Sequence, residues 1–386
     1  MEILFQNANI YSSADKKFYA ADLLVRDGMI AAIGVGLTAA CADAQIIDCG
    51  GKYLLPGLVD AHTHGRNCHD FDHTDEAGIN HMREEYAKVG TTTIMATLAS
   101  RPMDALYTAA DMINNNREVT PGKATIAGIH MEGRYLDMAK RGAHAEELLA
   151  PLDPKELTGL LNKLLPLPIH LSAAFELDEN KSFLKTALSM GATCSMAHTN
   201  STFEQASEAV AGGVKSFTHT FNAMRAIHHR EPGTTSAALL LDEAYAEFIC
   251  DGEHLHPAIV KMASRLKPAD KMLLITDSME AAGAGDGKYS IAGLDVFVKN
   301  GRAVNEEGAL AGSTLNLFDG VRNCMRFTGK TLEEVLPYAS ANPAAMLGIT
   351  HQCGALEVGL RADILLVSNK EDPVLEGVWA AGGRCR

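Results

Sequence analysis

The stretch LVDAHTHGRN, residues 58–67, ends an apolar run in two histidines separated by one residue. Alternate side chains of a β-strand point the same way, so His62 and His64 leave one face about 7 Å apart along the chain. Alone, an H-x-H pair is weak evidence for a metal, and two unrelated histidines at a loop start explain it equally well. Four more metal-capable residues stand in comparable places: Glu132 in ATIAGIHMEG, His198 in ATCSMAHTN, His219 in SFTHTFNAM and Asp277 in MLLITDSM. A core histidine or a helix-capping aspartate is the ordinary account of any one of them. Six such side chains on five strand tips point instead to a metal site. Imidazole and carboxylate donors suit a divalent ion, zinc first, with iron, manganese and cobalt as alternatives. Such an ion lowers the pKa of a bound water to about 7 and polarises a carbonyl. A carboxylate not used up as a ligand could take the water's proton and return it to a leaving amine, and Asp277 is the candidate for that shuttle.

These tips need a scaffold that gathers them on one rim. Short β-rich apolar runs at 58–64, 91–99, 124–133, 169–177, 192–200, 216–224, 246–252 and 272–279 alternate with helical stretches, among them 75–90, 153–166 and 203–214. Eight strands alternating with helices predict an α/β fold, a (β/α)8 TIM-like barrel over residues 56–350, whose active site lies at the C-terminal ends of the strands. A doubly wound open sheet is the competing arrangement, but no glycine-rich fingerprint follows the first strand. LLVRDGMIAAIG (23–34) reads as a hairpin around Asp27-Gly28. The tail GALEVGLRADILLVSN (354–369) returns to β. Residues 1–55 and 351–386 together predict a small β-sandwich domain built from both termini. YSIAGLDVFVKNGRAVNEEG (289–308) reads as a further hairpin around Asn300-Gly301, followed by two helical stretches ending near ANPAAMLGI.

The bulk properties narrow the function classes. With 386 residues, 47% hydrophobic and 21% charged, the chain is an ordinary globular one, large enough for a barrel plus a smaller module. A net charge of −14 argues against nucleic acid or an anionic membrane as the main partner, while leaving room for a locally basic pocket. Cysteines at 41, 49, 68, 194, 250, 324, 353 and 385 form no C-x-x-C pair, which reads as reduced thiols. The start MEILFQNANI has no basic, apolar leader pattern, and nowhere do 18 apolar residues run together. Cytoplasmic location is the expectation.

PGLVDAHTHG, HMEG, AHTN, THTFNAM, HHREPG, DGEH, TDSM and AGSTLNL, in that order, resemble the N-acetylglucosamine-6-phosphate deacetylases of the amidohydrolase superfamily. The resemblance spans nearly the whole chain and includes LEVGLRADILLV in the tail. Many relatives in the superfamily carry a bridging lysine on the fourth strand. IHLSAAFEL has none, and Glu132 fits the third-strand glutamate of the deacetylases. The resemblance implies hydrolysis of the acetamide of an N-acetyl amino-sugar 6-phosphate, with one or two divalent ions per chain. Glu132, His198 and His219 match the common metal site, and His62 and His64 a second site present in some members. Asp277 matches the catalytic acid/base. Substrate contacts are implied for Asn222 and Ala223, for Ala143 and His144, for His254, and for the loop Leu310, Ala311 and Gly312. Arg230 matches a phosphate-binding arginine that reaches the site from the partner subunit of a homodimer, and its guanidinium fork suits a phosphate dianion. A surface pair with Glu231 is the plainer account of that arginine.

The chain departs from the family pattern at Gly133-Arg134-Tyr135, where Gly-Pro and an aromatic are usual, and at GRNCHDFDH (65–73). Arg134 could meet an acidic substrate group or sit in a surface pair. His69 and His73 read as members of a solvated loop. Two other functions compete: an amidohydrolase acting on another N-acyl or cyclic amide, which would have no use for HHREPG, and a non-catalytic scaffold, which should have lost some of the six residues.

Overall fold

The computed structural model describes residues 2–37 and 44–386, so Cys41 lies outside the described residues. Eight parallel strands run in sequence order around a barrel. They are β1 (Leu58–Thr63), β2 (Thr91–Leu98), β3 (Thr125–Glu132), β4 (Ile169–Ala173), β5 (Thr193–Met196), β6 (Ser216–Phe217), β7 (Tyr245–Ile249) and β8 (Met272–Ile275). The last strand meets the first through the residues that follow it: Asp277 N–H donates to His62 C=O (2.9 Å) and His64 N–H to Ser278 C=O (2.8 Å). The expected (β/α)8 architecture is therefore present.

Each barrel strand is followed by a helix: α1 (Glu76–Lys88), α2 (Met103–Asn115), α3 (Pro154–Leu164), α4 (Ser182–Ser189), α5 (Phe203–Ala211), α6 (Gly233–Leu240), α7 (Pro257–Leu266) and α8 (Leu317–Thr328). Their starts follow from local chemistry. Asp75, Asp153 and Asn316 accept hydrogen bonds from the otherwise orphaned N–H groups of α1, α3 and α8. Thr202 and Gln205 close a capping box on α5. In α3, Leu157, Leu160, Leu161 and Leu164 form one buried stripe at helical spacing. Burying each leucine contributes about 1.5–3 kcal/mol.

The barrel seam between β8 and β1 is polar. The Asp60 carboxylate accepts from the Thr276 N–H (3.2 Å) and hydroxyl (2.6 Å), and Thr63 Oγ1 lies 2.6 Å from Tyr86 Oη and 2.7 Å from Ser278 Oγ. Burial pushes the Asp60 carboxyl up to about 7, against its hydrogen bonds.

Strands from both ends of the chain make one further sheet, ordered Gly383–Arg384, Leu375–Ala380, Ile364–Val367, Tyr53–Pro56, Glu2–Ser12, Lys17–Arg26, Met29–Gly34, with Gln45–Asp48 paired to Glu2–Ser12. Register shifts at Phe5/Ala8 and Leu24/Val25 mark bulges, which bend a sheet. Ile3, Phe5, Ile10, Leu23, Leu54, Ile364 and Trp379 form its inner core. Its other face joins the barrel: Tyr11, Leu55, Leu365 and Val378 pack in one cluster with Phe248, Val260, Leu317 and Val321. Asp27 and Gly28 both take positive φ (51° and 78°), as a two-residue type I′ hairpin requires.

The expected second hairpin is larger than the sequence suggested. Asn300-Gly301 does turn Leu294–Lys299 into Arg302–Asn305, but Ala292-Gly293 adds Gly287–Ile291 as a third strand. This small sheet overhangs the barrel mouth. No helix among the described residues is long and apolar enough to cross a membrane.

Candidate metal centre and active site

The strand tips converge. His62 lies at the end of β1 and His64 just beyond it, Glu132 ends β3, and His198, His219 and Asp277 follow β5, β6 and β8. Their donor atoms fall into two groups that share Glu132: His62, His64, Glu132 and Asp277, and Glu132, His198 and His219. Glu132 divides its oxygens between them. Oε1 lies 2.9 Å from His219 Nε2 and 3.4 Å from His198 Nε2. Oε2 lies 3.0 Å from His64 Nε2 and 3.4 Å from His62 Nε2. Asp277 Oδ1 lies 3.3 Å from the Nε2 of both His62 and His64. His198 and His219 approach within 3.1 Å through their Nε2 atoms.

These spacings fit a first-row divalent ion. Ligand atoms about 2.0–2.1 Å from a tetrahedral zinc sit about 3.3 Å from one another. All four imidazoles turn Nε2 inward, which leaves Nδ1 for an orienting partner. His62 Nδ1 has Glu247 Oε2 at 3.3 Å, and His198 Nδ1 has the Lys140 carbonyl at 2.8 Å. The electrostatics agree. Burial favours neutral His62 and His64, yet Glu132 and Asp277 outweigh it and hold protons on both rings, His64 up to about 10. A field that holds protons there also favours a divalent cation in their place, with release of those protons. Burial likewise opposes charge on Glu132 and Asp277, but the surrounding imidazoles keep both carboxyls below their usual range.

The backbone at the tips is bent to aim these side chains. His198, His219 and Asp277 have φ of 43°, 32° and 49°, a left-handed conformation uncommon for residues other than glycine. Such strain concentrates at functional sites. Gly133, just after Glu132, has φ of 146°, and a Cβ there would lie 2.5 Å from the Ser100 amide nitrogen and also crowd its hydroxyl. Ser100 Oγ meanwhile accepts from Arg134 N–H (2.8 Å) and lies 2.9 Å from His144 Nδ1. Gly133→Ala is therefore expected to cost about 1–3 kcal/mol and to displace Glu132. A lowered urea midpoint together with a reduced metal content would show it; an unchanged midpoint would contradict the crowding.

Above the donors lies a cavity of about 350 Å³. His64, Glu132, His198, His219 and Asp277 line it on one side, while His62 lies fully buried behind them. Its other walls include Ala143, His144, Asn222, Ala223, His254, Leu310, Ala311 and Gly312. His254 is held by Asp251, whose Oδ2 lies 2.7 Å from its Nδ1. Burial lowers His144 to about 3, with His198 adding to the effect, so its ring is neutral. Ile291 and Ala292 of the small sheet complete the roof.

Not every residue singled out in the sequence lies there. Arg230 is exposed and outside this lining, with Nη1 2.7 Å from His229 Nε2. Glu231 pairs instead with Arg225. Arg134 turns away from the cavity: its guanidinium meets Glu156 at 3.3 Å and donates to the Arg101 carbonyl at 2.9 Å. His69 and His73 join neither donor group; His73 faces Asp70 at 3.7 Å and His69 faces Thr74 at 3.2 Å. Glu247 was overlooked. The available signal was a lone acidic residue inside the otherwise apolar run AEFIC.

Comparison with known proteins accords with this geometry. A model of the amidohydrolase family matches residues 53–384. An N-acetylglucosamine-6-phosphate deacetylase from Vibrio furnissii is 34% identical over 344 residues, covering 88% of this chain and 84% of the relative. The crystal structure of an N-acetylglucosamine-6-phosphate deacetylase from Pasteurella multocida superposes with a TM-score of 0.91 at 27% identity, covering 100% of this chain and 99% of the other. One from Mycobacterium smegmatis, solved in complex with N-acetyl-D-glucosamine-6-phosphate, gives 0.89 at 27% identity over 100% and 99%. The chain thus belongs to the amidohydrolase family, in its N-acetylglucosamine-6-phosphate deacetylase group.

Proposed function

We propose that the protein is a metal-dependent cytoplasmic deacetylase that converts N-acetylglucosamine 6-phosphate into glucosamine 6-phosphate and acetate. The observation that carries this reading is the placement of Asp277. Its carboxylate touches the donor set at 3.3 Å and also lines the cavity in which an acetamide would sit. His62, His64, Glu132, His198, His219 and Asp277 would hold one or two divalent ions, zinc in the first instance. When bound, such an ion supplies a water acidic at neutral pH and a Lewis acid for the acetamide carbonyl.

The chain's own residues do the rest. The Asp277 carboxyl, kept ionised by His62 and His64, accepts the attacking water's proton and delivers it to the amide nitrogen as the C–N bond breaks. Asn222, Ala223, Ala143, His144 and His254 hold the sugar against these groups, and Leu310, Ala311 and Gly312 close over it. Holding the acetamide carbon in reach of the water lowers the entropic part of the barrel-mouth reaction. Arg230, exposed on its own chain, would grip the phosphate of the substrate bound by the partner subunit of a homodimer.

A rate comparison tests both substrate class and phosphate role. Turnover of N-acetylglucosamine 6-phosphate should far exceed that of unphosphorylated N-acetylglucosamine. Loss of a hydrogen-bonded charge is worth about 1.5–3 kcal/mol. Arg230→Ala should therefore raise KM for the phosphorylated sugar by about 10–100-fold and leave the unphosphorylated one unchanged. Equal rates on the two sugars would remove the phosphate from the reading. A fully active monomer in sedimentation would remove the partner's contribution.

A further inference from the structure

We propose that Glu247 is a positioning residue for the metal centre, holding His62 in the tautomer that presents Nε2 and thereby making the His62–His64 half of the site competent to bind its own ion. The inference rests on the reading of the six converging residues as metal ligands and concerns the binding step alone.

Glu247 lies in the middle of β7, fully buried, where Ala246, Phe248 and Ile249 around it are apolar. A carboxylate is costly to bury, and such groups are normally matched by a cation or a full set of hydrogen bonds. Here no lysine or arginine forms a salt bridge with it among the described residues, and its nearest partners are histidines. Oε2 lies 3.3 Å from His62 Nδ1 and accepts the backbone N–H of His219 at 3.1 Å. Oε1 has only His170 Nε2, at 3.7 Å, and no hydrogen bond. One carboxylate oxygen thus supports a ligand from each donor group: the ring of His62 and the main chain of His219. An Nδ1–H held by Glu247 leaves the lone pair of His62 on Nε2, facing Glu132 and Asp277.

Charge points the same way. Glu132 and Asp277 offer two negative charges to the four positive ones of two divalent ions, and Glu247 brings the total to three. Removing it withdraws both the orientation of His62 and part of the field that makes a second cation tolerable. His64 has no such support, because its Nδ1 is buried without a hydrogen-bond partner. In the other half the His219 Nδ1 is likewise buried without a hydrogen-bond partner, but Glu247 reaches His219 only through its main chain and the Lys140 carbonyl orients the ring of His198. The His62–His64 half, whose one oriented ring is held by Glu247, therefore leans on it more.

The test is equilibrium binding of zinc or cobalt(II) to the purified full chain, with metals counted after dialysis against graded chelator. Wild type should hold two ions, one more weakly. Glu247→Leu should weaken the weaker site by about 10–100-fold and leave the tighter one in place. Glu247→Gln, which keeps an acceptor but not the charge, should fall between and guards against a folding defect in the leucine variant. In a His62→Ala background, Glu247→Leu should change metal binding no further. Unaltered binding in folded Glu247→Leu, an equal loss in the His62→Ala background, or a wild type that saturates at one ion would each overturn the role. None of these readouts involves the sugar, so a failure here is distinguishable from a wrong substrate.

Discussion

Asp277→Asn is expected to abolish acetate release, lowering kcat by about 10³-fold, while the protein retains near-normal metal. General acid–base catalysis contributes about 10²–10⁴-fold. The upper half of that range is expected here, because the same group must both take and return the proton. The substitution removes little else. Asparagine has the same shape, its Oδ1 can still face His62 and His64, and the backbone at 277 already has the left-handed φ of 49° that asparagine tolerates well. An amide has no usable proton affinity at neutral pH, whereas the Asp277 carboxyl is held below its ordinary range and is ready as a base. Single-turnover acetate release with metal analysis of the same sample checks this. Turnover near wild type would assign the proton shuttle to another group.

Glu132→Ala is expected to empty the centre. Its two oxygens serve different histidine pairs at 2.9–3.4 Å, so its loss removes a donor from both groups at once. It also leaves four imidazoles in a buried pocket with one carboxylate fewer to balance a cation. Metal content after dialysis should fall towards zero, and turnover should drop by about 10³-fold or more with the loss of the ion's contribution. His62→Ala should behave differently, because Glu132, His198 and His219 still form a complete group. Full metal stoichiometry in Glu132→Ala would show that Glu132 is not the shared ligand.

Much of this arrangement could be read from the chain because the relevant signals are local. The strand period places His62 and His64 on one face, Asp27-Gly28 and Asn300-Gly301 dictate type I′ turns, and Asp75 and Asp153 mark helix starts. A barrel then forces strand tips together whatever the loops do, and for that reason residues as distant as His62 and Asp277 could be grouped before any coordinates. The cavity walls were less accessible. Ala143, Leu310 and Ala311 carry no chemistry of their own, and only resemblance to known deacetylases drew attention to them.

What stayed hidden depends on contacts across the fold. Arg134 pairs with Glu156, 22 residues away, and so turns from the cavity. The closeness of Gly133 to Ser100 follows from how β2 and β3 sit side by side. Glu247 reads as an odd residue in an apolar strand until His62 and His219 are seen beside its Oε2. Gly287–Ile291 reads as part of the first arm of the 289–308 hairpin and not as a strand of its own, because Ala292-Gly293 is a weaker turn signal than Asn300-Gly301.

The most direct test of the whole reading is acetate release from N-acetylglucosamine 6-phosphate by the purified, metal-loaded protein, with its metals counted in the same sample. Stoichiometric acetate and amine at one or two ions per chain, lost on chelation and restored by adding back a divalent ion, is the expected result. A fully metallated protein that releases no acetate from this substrate would contradict it.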